Sequence, residues 1–342
     1  MTKFTNDLDE KLKRLEDKKN KLDKLRPLPP ELVKNLEDWF RIELTYTSNA
    51  IEGNSLTRSE TAMVLEKGIT VKGKTLKEQL EAVNLSGALD YVSELVENQK
   101  QSINQNDLLD LHQLVLDKID DQNAGIYRQV DVMITGALFD PPPYEEVPEL
   151  MSNFFVWLNS AGGQYPVITA TKAHYKLVAI HPFSDGNGRT ARLLMNLILM
   201  RAGYPPAIIR KEDRKDYLCV LGSVDADNNL APFVELIIKA VNRSLDIYLK
   251  ALTGSPSEKK AFRAKLLPSN LLKTSDLARK AGETPATIRF WANQGLLKPK
   301  DVSASGYMKF DESSLKQIEK IRAMQKQENL SLAEIKRRLS HD

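Results

Sequence analysis

Apolar side chains recur three and four residues apart through most of this chain, and prolines stop the runs. Residues 5–26 place Leu8, Leu12, Leu15, Leu22 and Leu25 among lysines and carboxylates, a one-sided helix ended by Pro27, Pro29 and Pro30. A second helix follows over about residues 31–47, with Leu32, Leu36, Phe40 and Leu44 on one stripe. Residues 76–98, 107–118 and 149–159 keep the same period, and residues 166–250 return to it. The clearest exception is 129–148, where Val130, Val132 and Ile134 alternate before Thr135-Gly136, and Pro141, Pro142 and Pro143 follow. That stretch reads as a short β-hairpin or flap. The pattern predicts an all-α body carrying one hairpin.

A length of 342 residues allows two or three domains with a proper core. Residues 1–30 form a charged N-terminal helix and 31–250 the main body. The Ser-, Pro- and Lys-rich stretch within 251–268 reads as a linker, and 269–342 as a separate small module. Cys219 is the one cysteine, so there is no intramolecular disulfide, multi-thiolate zinc site or iron–sulfur cluster. The apolar stretch 193–200 is cut by Asn196 and stopped by Arg201, far short of the roughly 20 residues that span a bilayer. Asp7, Asp9 and Glu10 sit in an N-terminus without an apolar run, unlike a signal peptide. A soluble cytoplasmic protein with no membrane partner is the expectation. The charge is uneven: residues 251–342 carry 18 Lys+Arg against 10 Asp+Glu, whereas 1–250 carry 31 against 36. A basic module on a mildly acidic body suits a polyanionic partner at the C-terminal end, although on charge alone a solvated surface is the better reading.

Chemistry concentrates at residues 181–192, HPFSDGNGRTAR, between two apolar helical segments. Gly186 and Gly188 permit a tight loop and close backbone approach. The N–H groups of Asn187, Gly188, Arg189 and Thr190 then open the next helix, a position that favours an anion. Arg189 and Arg192 can fork onto phosphates, and Asp185 is a hard oxygen ligand suited to Mg²⁺. His181, ending the preceding helix, is the nearby general base. Each piece alone has an ordinary explanation: His-Pro ends helices, Gly-Asn-Gly turns, and paired arginines solvate a face. Together they describe a site that transfers part of a nucleotide to a hydroxyl.

The run resembles the Fic-domain signature His-x-Phe-x-Asp/Glu-Gly-Asn-Gly-Arg-x-x-Arg at every specified position, and the likeness continues to Arg210. The resemblance covers roughly residues 31–250 and implies a helical fold with a flap hairpin. It implies an AMPylator, moving AMP from ATP to a Ser, Thr or Tyr hydroxyl of a protein target, itself included. In that role His181 is the base and Asp185 the Mg²⁺ ligand. Gly186, Asn187, Gly188, Arg189, Thr190, Ala191 and Arg192 hold the phosphates. Ile134, Thr135, Gly136 and Ala137 match the flap that aligns the target, and Tyr217 and Leu218 match the adenine pocket. His174, seven residues before His181, reads as helix packing.

Ser48, Glu52 and Gly53 resemble the family's inhibitory motif, placing an inhibitory helix at about 45–54 in which Glu52 pairs with Arg192. The same residues also make a good helix end. In some relatives this glutamate supports removal of AMP, and relatives with this brake often form homodimers. Residues 269–342 resemble the winged helix-turn-helix of the MerR family. Thr284 caps its second helix, and Thr287, Arg289, Tyr307 and Lys309 stand where DNA phosphates are met. A competing function is a DNA-binding regulator whose Fic body senses nucleotide.

Overall fold

The computed structural model describes residues 6–68, 70–98, 102–133, 140–161, 164–227, 229–254, 272–302, 308–311, 313–327, 330 and 332–339. It divides into two compact units, Met1–Phe262 and Arg263–Asp342. The first is built from ten helices among the described residues. They are α1 (Asn6–Asp23), α2 (Pro30–Ile51), α3 (Arg58–Lys67), α4 (Leu76–Glu97), α5 (Gln105–Leu116), α6 (Val147–Ser160), α7 (Pro166–Ile180), α8 (Asn187–Arg201), α9 (Arg214–Asp227) and α10 (Ala231–Thr253).

Local chemistry sets most of the boundaries. Pro30 opens α2, Pro148 lies in the first turn of α6 and Pro166 opens α7, where a missing N–H costs nothing. Thr57 with Glu60, Thr75 with Glu78 and Asn104 with Asp107 form reciprocal capping boxes at the starts of α3, α4 and α5. Helix α1 lays Leu8, Leu12, Leu15 and Leu22 against α10, flanked by Lys11–Glu235 at 3.0 Å and Lys18–Asp246 at 2.7 Å. Leu25, expected in that stripe, lies beyond the helix end and is exposed.

Helix α8 is the axis of this unit. Leu193, Leu194, Met195, Leu197 and Leu199 are all buried, because α7, α4, α5 and α2 surround it. A helix apolar on every side belongs in the core. Its polar N-terminal turn therefore enters the middle of the unit, where charges are felt strongly. The expected hairpin takes a different form where it is described. Residues 129–133 and 140–143 contain no strand, and Tyr144–Glu146 make a single 3₁₀ turn. Ile134, Thr135, Gly136 and Ala137 lie outside the described residues.

The second unit has a three-stranded antiparallel sheet in the order β1 (Leu272–Lys273), β3 (Met308–Phe310), β2 (Asp301–Val302). Leu272 pairs with Phe310, and Val302 with Met308. Around it stand α11 (Thr274–Ala281), α12 (Pro285–Asn293), α13 (Ser313–Gln327) and α14 (Leu332–Leu339). Leu277, Ile288, Trp291, Leu297, Phe310, Ile321 and Ile335 close the core. Thr284 caps α12 by accepting from Thr287 N at 3.1 Å, and Gly282 makes the turn at φ +68°. Thr287 is half-buried and Arg289 exposed on α12; Lys309 lies in β3; Tyr307 lies outside the described residues.

Candidate active site

The α7–α8 connection carries the chemistry. His181 caps α7 in the left-handed region at φ +49°, a conformation that costs a non-glycine residue about 1–3 kcal/mol. Its Nδ1–H donates to Val178 O at 3.2 Å, which fixes the tautomer and leaves Nε2 as the nitrogen able to take a proton. Burial, partly offset by that hydrogen bond, holds its pKa below the usual 6.5. The ring is therefore neutral at pH 7, as a base must be.

The loop that follows is locked from within. The Asn187 side chain accepts from Phe183 N at 3.0 Å and donates to Phe183 O at 2.7 Å. Its amide thus acts as a staple, and its main-chain N–H is what it offers a ligand. Phe183 is fully buried and stacks on His112, with ring centroids 3.7 Å apart and 8° between planes. His112 accepts from Gly125 N at 3.0 Å and donates through Nε2 to Asp185 O at 2.9 Å. Burial pushes its pKa down to about 4, so the bridge is neutral. Gly186 at φ +79° is the N-cap of α8 and, having no side chain, leaves the first turn without a side-chain cap. The uncapped N–H groups and the positive end of the helix face the loop.

Both arginines of the motif are buried rather than solvated. Arg189 lies 3.4 Å from Asp185 Oδ1 and 3.5 Å from Glu81 Oε1. Arg192 donates through Nε to Ser48 Oγ at 2.8 Å, and through Nη2 to Ser48 O at 3.1 Å and Glu52 Oε1 at 2.6 Å. Although burial opposes its charge, Glu52 leads the interactions that hold the guanidinium pKa above its ordinary value. Glu52 also forms the C-cap of α2, so the helix-end and ion-pair readings hold together. Gly53 follows at φ +99°, where a side chain would be strained. Glu52 Oε1 packs so closely on Gly188 that a Cβ there would overlap it. A carboxylate thus occupies the mouth of the anion-binding turn.

Thr190 and Ala191 are fully buried within α8. Tyr217 is buried too, between His174 and Phe233, and its hydroxyl lies 3.4 Å from Arg192 Nη1 and 2.9 Å from His174 Nε2. Here it supports Arg192, while Leu218 beside it is exposed. His174 packs as expected, and complete burial lowers its pKa to about 3. Sequence reasoning missed His112 and Arg128, each a lone residue with no motif around it. Arg128 donates through Nε to His181 O at 2.9 Å.

Asp185 is the acidic group open to a cation. Its side chain is 54% exposed, and Oδ1 already accepts from Gly186 N at 2.6 Å. No group of three or more potential metal ligands exists among the described residues. One carboxylate with the remaining ligands drawn from phosphate and water is the pattern Mg²⁺ takes on nucleotides.

A family model described as the Fic/DOC family matches residues 102–199, and one described as MerR HTH family regulatory protein matches 272–342. The Protein adenylyltransferase Fic of Culex quinquefasciatus is 41% identical over 247 residues, 71% of this chain and 49% of that protein. That of Nematostella vectensis is 37% identical over 72% of this chain and 57% of its own length. The chain thus spans about half the length of the curated relatives it matches. Among solved structures, Fic-1 of C. elegans superposes with a TM-score of 0.66 at 33% identity, covering 71% of this chain and 72% of that one. A Fic domain containing signaling protein from Bacteroides thetaiotaomicron gives 0.66 at 32% identity, covering 72% and 98%. A Fic family protein from Desulfovibrio desulfuricans, at 23% identity and 0.57, shares the fold over 91% of this chain and 97% of its own.

Proposed function

This chain belongs to the Fic/DOC family, and from that premise we propose that it is a protein adenylyltransferase restrained by its own Glu52. The observation that carries the reading is the Glu52 carboxylate lodged between Arg192 and Gly188, at the uncapped start of α8 and beside a neutral histidine. An anion site filled by the chain's own carboxylate is one that a phosphate fills when that carboxylate leaves.

In the step proposed, the hydroxyl oxygen of a Ser, Thr or Tyr on a protein bonds to the α-phosphorus of ATP. The bond from that phosphorus to the oxygen bridging to the β-phosphate breaks, and pyrophosphate leaves. The hydroxyl proton passes to His181 Nε2. The first-turn N–H groups of α8 and Arg189 bind the phosphates, with Arg192 on the γ-phosphate. Asp185 would hold Mg²⁺, which would supply positive charge to the phosphates. The resemblance assigns target alignment to Ile134, Thr135, Gly136 and Ala137, which lie outside the described residues, and the adenine pocket to Tyr217 and Leu218. Self-modification and homodimerisation are carried over from the resemblance, and a cytoplasmic location from the sequence composition. No helix among the described residues is long and apolar enough to cross a membrane.

The second unit supports a DNA-binding role, because its capped α12 presents exposed Arg289 beside half-buried Thr287. Two experiments test the pair of assignments. The Glu52→Gly protein should incorporate label from α-labelled ATP and none from γ-labelled ATP; the reverse pattern makes it a kinase and refutes the proposal. Residues 263–342 should shift duplex DNA with an affinity that falls steeply with salt, and Arg289→Ala should weaken it. Retention of DNA by the chain without those residues would refute the second.

A further inference from the structure

Arg128 is a buried cation whose carboxylate partner, Asp131, is solvent-exposed and meets only Nη1. Its side chain has no exposure, and Asp131, 3.5 Å away, is 73% exposed. Burial lowers its pKa. Beyond that pair, all three guanidinium nitrogens meet main-chain carbonyls. Nε donates to His181 O at 2.9 Å, Nη1 to Val130 O at 3.1 Å, and Nη2 to Pro142 O. The Arg128 main-chain N–H adds a fourth tie, to Pro182 O at 2.8 Å. Burying a charge among neutral carbonyls is unfavourable unless a planar fork is what the place requires.

His181 supplies that requirement. Its left-handed backbone turns its carbonyl to one direction, and Arg128 is the side chain that receives it. Val130 and Pro142 are twelve residues apart in sequence, yet one guanidinium holds both against the same catalytic residue. Resting on the adenylyltransferase reading, we infer that Arg128 is a positioning residue for the transfer step: it locks the strained backbone of the base to both chain flanks at Val130 and Pro142. It lies outside the phosphate-binding set, so nucleotide affinity is independent of it. Lysine cannot replace it, since one nitrogen cannot reach three carbonyls in a plane.

The test uses the full chain with Glu52→Gly, with and without Arg128→Lys. Binding of a fluorescent methylanthraniloyl-ATP with Mg²⁺ should keep its affinity within about twofold and its stoichiometry. The kcat for AMP incorporation into the chain itself should fall about 10- to 100-fold, the scale of a misplaced reacting group. Methylguanidinium should restore part of the rate to Arg128→Ala. Amide exchange at residues 129–133, at 140–146 and at His181 should rise together. An unchanged kcat in Arg128→Lys overturns the inference. So does a loss of rate matched by loss of nucleotide-binding stoichiometry, which marks general unfolding. If the Glu52→Gly parent itself takes no α-label, the adenylyltransferase reading fails and the exchange data decide: a joint rise keeps the Arg128 lock, and a rise at one flank alone removes it.

Discussion

Replacing Glu52 with Gln tests whether the brake is an ion pair or a helix end. Gln keeps the length of Glu52, its C-cap position and one acceptor oxygen, and removes the charge. Arg192 is 6% exposed and Glu52 40% exposed across a 2.6 Å contact. Breaking a fully buried pair costs about 3–5 kcal/mol. With one partner this open to water, roughly 1.5–3 kcal/mol is appropriate. If the carboxylate and the γ-phosphate compete for one guanidinium, that energy opposes productive nucleotide binding. At about 1.4 kcal/mol per factor of ten, its removal raises kcat/KM for ATP about 10- to 100-fold. The assay is the initial rate of α-label incorporation against ATP concentration at fixed Mg²⁺. The expected order is wild type, then Glu52→Gln, then Glu52→Gly at or above it. A Glu52→Gln protein as quiet as wild type beside an active Glu52→Gly would refute the ion-pair account and leave α2's end as the brake.

Three further outcomes follow from the site. His112 is buried neutral with a native pKa near 4 against 6.5 unfolded, so the unfolded state binds more protons between those values. Stability is full above pH 6.5 and falls as pH drops toward 4, by on the order of 2–3 kcal/mol from this residue, and His112→Gln should flatten that slope in thermal melts. Asn187→Ala removes both contacts to Phe183 and leaves buried backbone groups unpaired, costing about 1–3 kcal/mol in denaturant titrations and most of the transfer rate. Because burial holds His181 below 6.5, kcat/KM in the Glu52→Gly protein should stay level from neutral pH upward and decline only on the acid side of 6.5; a limb rising above pH 7 would contradict His181 as base.

The elements legible in sequence were those written locally. Leucine spacing, prolines and capping residues placed the helices within a few residues, and the glycines at 186 and 188 marked the tight loop. The Glu52–Arg192 contact, 140 residues apart in sequence, was legible through a family motif and not through periodicity. Burial of the two arginines was not legible, since Arg189 and Arg192 look solvated until α4 and α2 pack over them. The alternation at Val130, Val132 and Ile134 suggested strands, yet its described part takes its shape from Arg128 rather than from ladder bonds. Tyr217 was legible only through its likeness to the family's adenine pocket; its packing against His174 and Phe233, with its hydroxyl on Arg192, has no local signal in the sequence.

The central claim is that His181 transfers AMP when Glu52 releases Arg192. Label transfer from α-labelled ATP with Mg²⁺, compared across wild type, Glu52→Gly and Glu52→Gly/His181→Ala, tests it most directly. The account predicts little label in wild type, strong label in Glu52→Gly and none above background in the double mutant. Equal label in the single and double mutants would contradict the assignment of the base. No label in any of the three, with ATP still bound, would contradict the adenylyltransferase itself and point to AMP removal or nucleotide sensing.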